Sequence, residues 1–365
     1  MSEPMIIQGG MGIAVSNWKL ARTVALLGQL GVVSGTALEN VMARRLQTGD
    51  PDGSMRRALD HFPNQSIVQR ILTRYFIPGG KPEHTPFKNP PMFSLNPPRE
   101  LVELTVAANF AEVFLAKEGH DGPVGINYLE KVQLPTLPSL YGALLAGVAY
   151  VLMGAGIPRS IPAILDQLAS HQKVSLKLNV QEAAAEDNFQ MTFDPKDIIE
   201  KNLSPLRRPK FIAIVASAVL AITLAKKSSG HVDGFVIEGP TAGGHNAPPR
   251  GPLQLDEKGE PIYGPKDEVD LVAFRKLGLP FWLAGSFADP TKLKDALAQG
   301  AAGIQVGTVF AYCEESGLEE SIKRKTFEKV LRGRVEVFTD PVASPTGFPF
   351  KVVRLEGTLS EAKEY

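Results

Sequence analysis

Eight short apolar runs, most followed by a stretch of helical period, predict an α/β protein built as a (β/α)8 TIM barrel. Three observations carry that prediction. The runs are apolar throughout and in part β-branched or aromatic, as strands buried on both faces must be. Strand-like and helix-like stretches alternate, which implies a parallel sheet. Five of the runs end in glycine-rich loops: Met5-Ile-Ile-Gln-Gly-Gly-Met-Gly12, Val151-Leu-Met-Gly-Ala-Gly156, Val236-Ile-Glu-Gly-Pro-Thr-Ala-Gly-Gly-His245, Phe281-Trp-Leu-Ala-Gly-Ser286 and Gly303-Ile-Gln-Val-Gly-Thr308. All five lie at the carboxyl ends of the strands, where barrels keep their chemistry.

The strands are predicted at 5–8, 31–34, 123–127, 150–153, 211–215, 234–238, 280–284 and 303–306. Helices are predicted at 16–27, 160–169, 217–227, 267–277 and 290–299, with serine, aspartate or proline at their starts as helix N-termini favour. The uncharged stretches 139–158 and 211–225 each divide into a helix and a strand and neither reads as a membrane span. With the first strand beginning by Met5, no signal peptide is expected.

Three insertions depart from the minimal barrel. Residues 38–122 form a mainly helical insertion after the second strand, with helix-spaced apolar residues over 54–76 and 98–117 and an irregular proline-rich stretch over 77–97. This segment reads equally well as a lid over the barrel and as a subunit interface, so a homodimer is one expectation. Residues 174–193 alternate as a hairpin after the fourth strand, and 246–264 form a second hairpin-like insertion after the sixth. The barrel therefore comprises 1–37 and 123–345, and 346–365 form a C-terminal extension.

The chain has 39 basic and 39 acidic residues, 44% hydrophobic residues and a single cysteine, Cys313. Balanced charge argues against a nucleic-acid face, and one cysteine excludes an internal disulfide and a cysteine-cluster metal site. The expectation is a cytoplasmic enzyme acting on a small molecule, with no metal, nucleic-acid or membrane partner. His61, His84, His120, His171 and His231 fall in insertions or at helix ends and read as solvated.

His245 is the candidate catalytic residue. It follows two adjacent glycines, which admit positive φ and bring backbone close to a ligand, and it titrates nearest neutral pH. Arg250 and Tyr263, on the insertion that leaves from His245, can approach a substrate, arginine being suited to a carboxylate, phosphate or nitronate.

In their order along the chain, Gln8-Gly-Gly-Met-Gly12, Gly125-Ile-Asn127, Gly154-Ala-Gly156, Glu238-Gly239, Ala242-Gly-Gly-His245, Ala284-Gly285 and Gln305-Val-Gly-Thr308 resemble the nitronate monooxygenase, or 2-nitropropane dioxygenase, family of FMN-dependent barrels. That group also includes flavin-dependent enoyl-acyl-carrier-protein reductases. The resemblance implies FMN, with Gly10, Met11 and Gly12 against the flavin ring and Asn127 bonded to the ring or ribityl chain. It places the phosphate on Gly243 and Gly244, Gly285 and Ser286, and Gly307 and Thr308, whose amides and hydroxyl donate without bulk. Gln305 would face the flavin, Gly154, Ala155 and Gly156 would border the substrate, and His245 would stand beside it. The sequence departs from the pattern at Val215-Ala-Ser217, where some members carry a flavin-contacting lysine, and at Ser286, where a second glycine is usual.

Three functional readings are open, two of them from the resemblance. The first is oxidation of an alkyl nitronate with O2 to a carbonyl compound and nitrite, His245 acting as a general base or, charged, as an anchor for the nitronate. The second is NAD(P)H-dependent reduction of an enoyl thioester, with an acyl-carrier protein as partner. The third, suggested by the 38–122 insertion, is a non-catalytic flavin-binding partner protein.

Overall fold

The computed structural model describes residues 3–184, 186–199, 204–344 and 347–364. The expected boundary between barrel and C-terminal extension, at 345 and 346, lies outside the described residues, as do residues 1, 2 and 365.

In chain order the first half contains β1 (Ile6–Gln8), α1 (Trp18–Leu26), β2 (Gly31–Ser34), α2 (Leu38–Gln47), α3 (Ser54–Asp60), α4 (Gln65–Tyr75), α5 (Arg99–Lys117), β3 (Val124–Leu129), α6 (Thr136–Leu145), β4 (Tyr150–Gly154) and α7 (Ile161–Ala169). A hairpin, β5 (Val174–Lys177) and β6 (Gln190–Phe193), precedes β7 (Lys210–Val215), α8 (Ala218–Lys227), β8 (Gly234–Glu238), α9 (Leu271–Leu277), β9 (Phe281–Ala284), α10 (Pro290–Ala298), β10 (Gly303–Val306) and the single-turn α11 (Thr308–Ala311). The chain closes with α12 (Glu320–Leu331) and a second hairpin, β11 (Val337–Asp340) and β12 (Phe350–Val353).

Eight strands form one parallel sheet in the order β1-β10-β9-β8-β7-β4-β3-β2. The parallel bridge from Ile7 to Leu30 joins its two edges, with Gln8 N donating to Leu30 O and Leu30 N to Ile6 O, so the barrel is closed. Closure leaves no open edge for unwanted pairing. Alternate residues point inward and pack on one another: Ile7, Leu30, Val32, Tyr150, Leu152, Ile212, Val236, Trp282 and Ala284 form the barrel interior. The opposite residues of the same strands, such as Ile126, Val151, Phe235 and Ile304, pack under the helices in a second, larger cluster.

Capping differs from expectation in detail. Ser217, Asp270 and Asp289 cap α8, α9 and α10, but α9 begins later than predicted because Asp270, and not Asp267, receives the Val272 and Ala273 amides. Asn17 caps α1 in place of Ser16, whose hydroxyl is used by the loop before it, and Ser160 makes no capping hydrogen bond.

Helix α5 is buried on almost every side because α1 and α6 flank it in the outer ring while α2, α3 and α4 cover it. A helix so enclosed is largely apolar, and its two buried carboxylates are paired. Glu112 meets Arg45, and Glu103 lies 2.7 Å from Arg70 and 2.8 Å from Arg99. The β5–β6 hairpin turns Val174, Leu176, Met191 and Phe193 inward and Ser175 and Lys177 outward, as its alternation predicts. Residues 246–264 also contain a hairpin turn, closed by the antiparallel bridge from Leu255 to Pro261. Among the described residues no helix is long and apolar enough to cross a membrane.

Two histidines expected to be solvated are held by neighbours. His171 bonds the Tyr141 hydroxyl at 2.9 Å and the Ser204 carbonyl at 3.1 Å, and His120 bonds Ala116 O and accepts from Gly122 N.

Candidate active site

The loop after β1 is fixed before any ligand arrives. Gln8 is fully buried; its amide donates to Gly9 O and to Ser16 Oγ and accepts from Val32 N at 3.0 Å. Ser16 Oγ in turn donates to Gly9 O and accepts the Met11 amide at 2.9 Å. Gln8 and Ser16 thus lock the backbone of Gly9, Gly10 and Met11, a role that reading Ser16 as a helix cap missed.

The glycine loops converge. A Cβ on Gly10 would fall 2.5 Å from the Asn127 Cβ, so the β1 and β3 loops can approach this closely only without a side chain there. The same position on Gly9 lies 3.5 Å from the Gln305 side chain, that of Gly307 lies 3.6 Å from Met11 Sδ, and that of Gly243 lies 3.1 Å from Thr308 Oγ1. Gly285 takes φ +108°, and a Cβ would meet Thr241 Oγ1 at 2.8 Å. Residues predicted on five separate loops therefore meet at one end of the barrel, with Ser286, also at positive φ, beside Gly285.

Gly154, Ala155 and Gly156 occupy the β4 corner of this mouth. Gly154 packs on Ile214 of β7, and a Cβ on Gly156 would fall 1.8 Å from Glu130 Oε2, so the β3 loop takes that space. Arg250 reaches back across the mouth: its Nη2 donates to Ala216 O at 3.2 Å, just beyond the end of β7. A cation thus stands at the strand end that lacks the lysine. Tyr263 turns its hydroxyl onto Ala247 O at 3.1 Å and closes its own loop.

His245 is covered by the C-terminal hairpin. Its Nε2 lies 2.8 Å from Ser344 Oγ, and its ring meets Phe350 edge-on at 4.8 Å and Phe348 at 6.5 Å. Burial first, and the Lys131 charge second, push the imidazole down to about 4, so it is neutral at physiological pH. Burial also brings the Lys131 ammonium, 3.8 Å from the Phe348 ring centroid, down to about 8. A neutral imidazole fits the base role and not the charged anchor.

Glu238 ends β8, just before the loop that carries His245. By alternation with inward Val236 its side chain faces the barrel interior, and burial pushes its carboxyl up to about 7. Strand parity was the available signal. Ser344, 99 residues from His245, had none.

The donors present are backbone amides and hydroxyls on loops that glycine lets pack closely, and a Cβ on Gly244 would meet nothing within 4 Å. Such a mouth suits a flat ring with a phosphate tail. Barrel and mouth together define the class, a closed parallel barrel with its glycine loops gathered at the carboxyl ends of the strands. The family described as nitronate monooxygenase matches residues 142–342, more than half of the chain, and the chain belongs to that family of flavin-dependent oxidoreductases.

Among curated relatives, a probable nitronate monooxygenase of Bacillus subtilis is 30% identical over 158 residues, 43% of this chain and 42% of the relative. The (3aS,4S,5R,7aS)-5-hydroxy-7a-methyl-1-oxo-octahydro-1H-indene-4-carboxyl-CoA dehydrogenase of Mycobacterium tuberculosis is 28% identical over 145 residues, 40% of this chain and 36% of the relative. The matched stretches span about two fifths of these relatives' length. The solved structure of FabK from Thermotoga maritima is 18% identical, with 97% of this chain and 72% of that chain covered at a TM-score of 0.49.

Proposed function

We propose that this chain is an FMN-dependent nitronate monooxygenase that converts alkyl nitronates and O2 to carbonyl compounds and nitrite. The observation that carries the reading is His245, a neutral, desolvated imidazole where bare glycine loops converge. Bound flavin supplies the electron-transfer chemistry, which no side chain can.

The chain's own residues do the rest. Gly10 and Asn127, packed against each other, would border the ring, and the amides of Gly243, Gly285, Ser286, Gly307 and Thr308 would donate to the phosphate. When the neutral nitroalkane is the starting compound, His245 takes the proton from the carbon beside its nitro group to give the nitronate, and the hydrophobic cover of Phe348 and Phe350 keeps water from that anion. Arg250 offers a planar cation to that anion.

Nitrite release from ethylnitronate by the flavin-loaded protein tests the activity. His245→Ala should lower kcat/KM with nitroethane by ~10²–10⁴; undiminished turnover would remove the imidazole from the reaction.

A second reading, a flavin enzyme acting on an acyl thioester, has in its favour the Mycobacterium tuberculosis relative, whose name specifies a carboxyl-CoA substrate. Anaerobic bleaching of the flavin by NADPH, and not by ethylnitronate, would select a reductase of that kind.

A further inference from the structure

We infer that Ser344 is a positioning residue for His245, which accepts the Nε2 proton of the imidazole and so leaves the Nδ1 lone pair as the base. The inference rests on the reading of His245 as the general base.

Three observations lead to it. The Nε2 to Ser344 Oγ distance is 2.8 Å, and Ser344 is only 7% exposed. In a neutral imidazole one nitrogen is a donor and the other an acceptor, and the bond made by one sets the state of the other. With Nε2 turned onto Ser344, only Nδ1 remains to receive a substrate proton, and it can do so only if Nε2 carries the hydrogen.

Ser344 is also held firmly enough to act as a fixed partner. Its segment is tied to the His245 loop on the backbone: His245 forms an antiparallel bridge with Phe350, Asn246 N donates to Pro349 O at 2.8 Å, and Lys351 N donates to Gly244 O at 3.1 Å. Upstream, Asp340 Oδ1 receives the Val342 and Ala343 amides, and Thr339 N donates to Glu260 Oε1 at 2.6 Å. Phe350 and Phe348 pack against the ring at 4.8 and 6.5 Å and limit its rotation.

The charges facing this pair are few. Lys131, from the loop after β3, faces the imidazole. On the C-terminal hairpin, Lys351 Nζ donates to Thr339 Oγ1 at 2.6 Å and feels Glu260, while Asp340 caps its own turn. Removing the Ser344 hydroxyl frees the ring to turn toward water, where the charged form regains hydration. The acid limb of a base-dependent pH profile then moves up, toward the ordinary histidine value of about 6.5.

The test uses full-length, flavin-loaded protein with 15N-labelled histidine, with His245→Gln assigning the resonance. In the unsubstituted protein the His245 signals should report a single tautomer with Nε2 protonated. Ser344→Ala should give mixed tautomers, a lower kcat/KM for nitroethane by about tenfold, less than the ~10²–10⁴ the base itself supplies, and an acid limb shifted to higher pH. Ser344→Thr, which keeps the hydroxyl, should restore all three.

An Nδ1-protonated or mixed ring in the unsubstituted protein overturns the inference, as does a Ser344→Ala protein with unchanged tautomer and pH profile. If Ser344→Ala does not fold, the tautomer of the unsubstituted protein and of Ser344→Thr decides. If no nitro compound is turned over, the proposed activity fails while the tautomer still decides the pairing.

Discussion

At the amino end of the barrel Glu3 pairs with Lys210 and accepts the Tyr150 hydroxyl at 3.2 Å, while Trp282, fully buried, donates to Pro4 O at 2.7 Å. At the carboxyl end the same strands run out into glycines, Glu238 has its carboxyl raised to about 7, and His245 has its imidazole lowered to about 4. The floor satisfies its polar groups with one another and packs its largest side chain. The mouth leaves backbone bare and holds ionisable groups in forms that water would not favour. Stability and chemistry are thus assigned to opposite ends of one sheet, as barrel enzymes divide them.

The sharpest way to break this contrast is Trp282→Ala. It should cost ~3–5 kcal/mol of unfolding free energy, read by denaturant titration, while flavin affinity per folded molecule changes little. Equal loss of both would show that floor and mouth are not separable.

Gly285→Ala addresses the mouth. The strain of a side chain at φ +108°, with its Cβ 2.8 Å from Thr241 Oγ1, is expected to cost ~1–3 kcal/mol. Moving that loop should weaken flavin binding about tenfold, ~1.4 kcal/mol by fluorescence titration. Unchanged affinity would take Gly285 out of the phosphate cradle.

The effect of Glu238→Gln depends on pH. The folded carboxyl titrates near 7 against an ordinary 4.5, so the protein loses stability as pH rises between those values. The amide removes that loss. Its melting temperature should exceed that of the unsubstituted protein by a few degrees at pH 8 and converge with it by about pH 4.5. A constant offset at every pH would point to packing instead.

Much of this architecture was legible in the chain because buried parallel strands must be apolar throughout and must end where backbone turns. That constraint marked all eight barrel strands and brought Gly10, Asn127, Gly285, Gln305 and Thr308 to one end. Ser16 was misread because its hydroxyl can cap a helix or brace a loop with equal ease, and the burial of Gln8 decides between them. The role of α5 as a ring helix was hidden for a related reason: covered on all sides, it presents no polar face to orient it. The partnership of His245 with Ser344 spans 99 residues and follows no period, so only the folded chain reveals it.

Barrel closure sets an order of events during synthesis. β1 pairs with β10, Ile6 through Gln8 against Ile304 through Val306, and Trp282 reaches back to Pro4. At ~5–20 residues per second, about 15–60 s separate the emergence of the first strand from that of its partner. Through that interval the nascent chain carries an unpaired strand edge, a surface that chaperones recognise and other chains can capture.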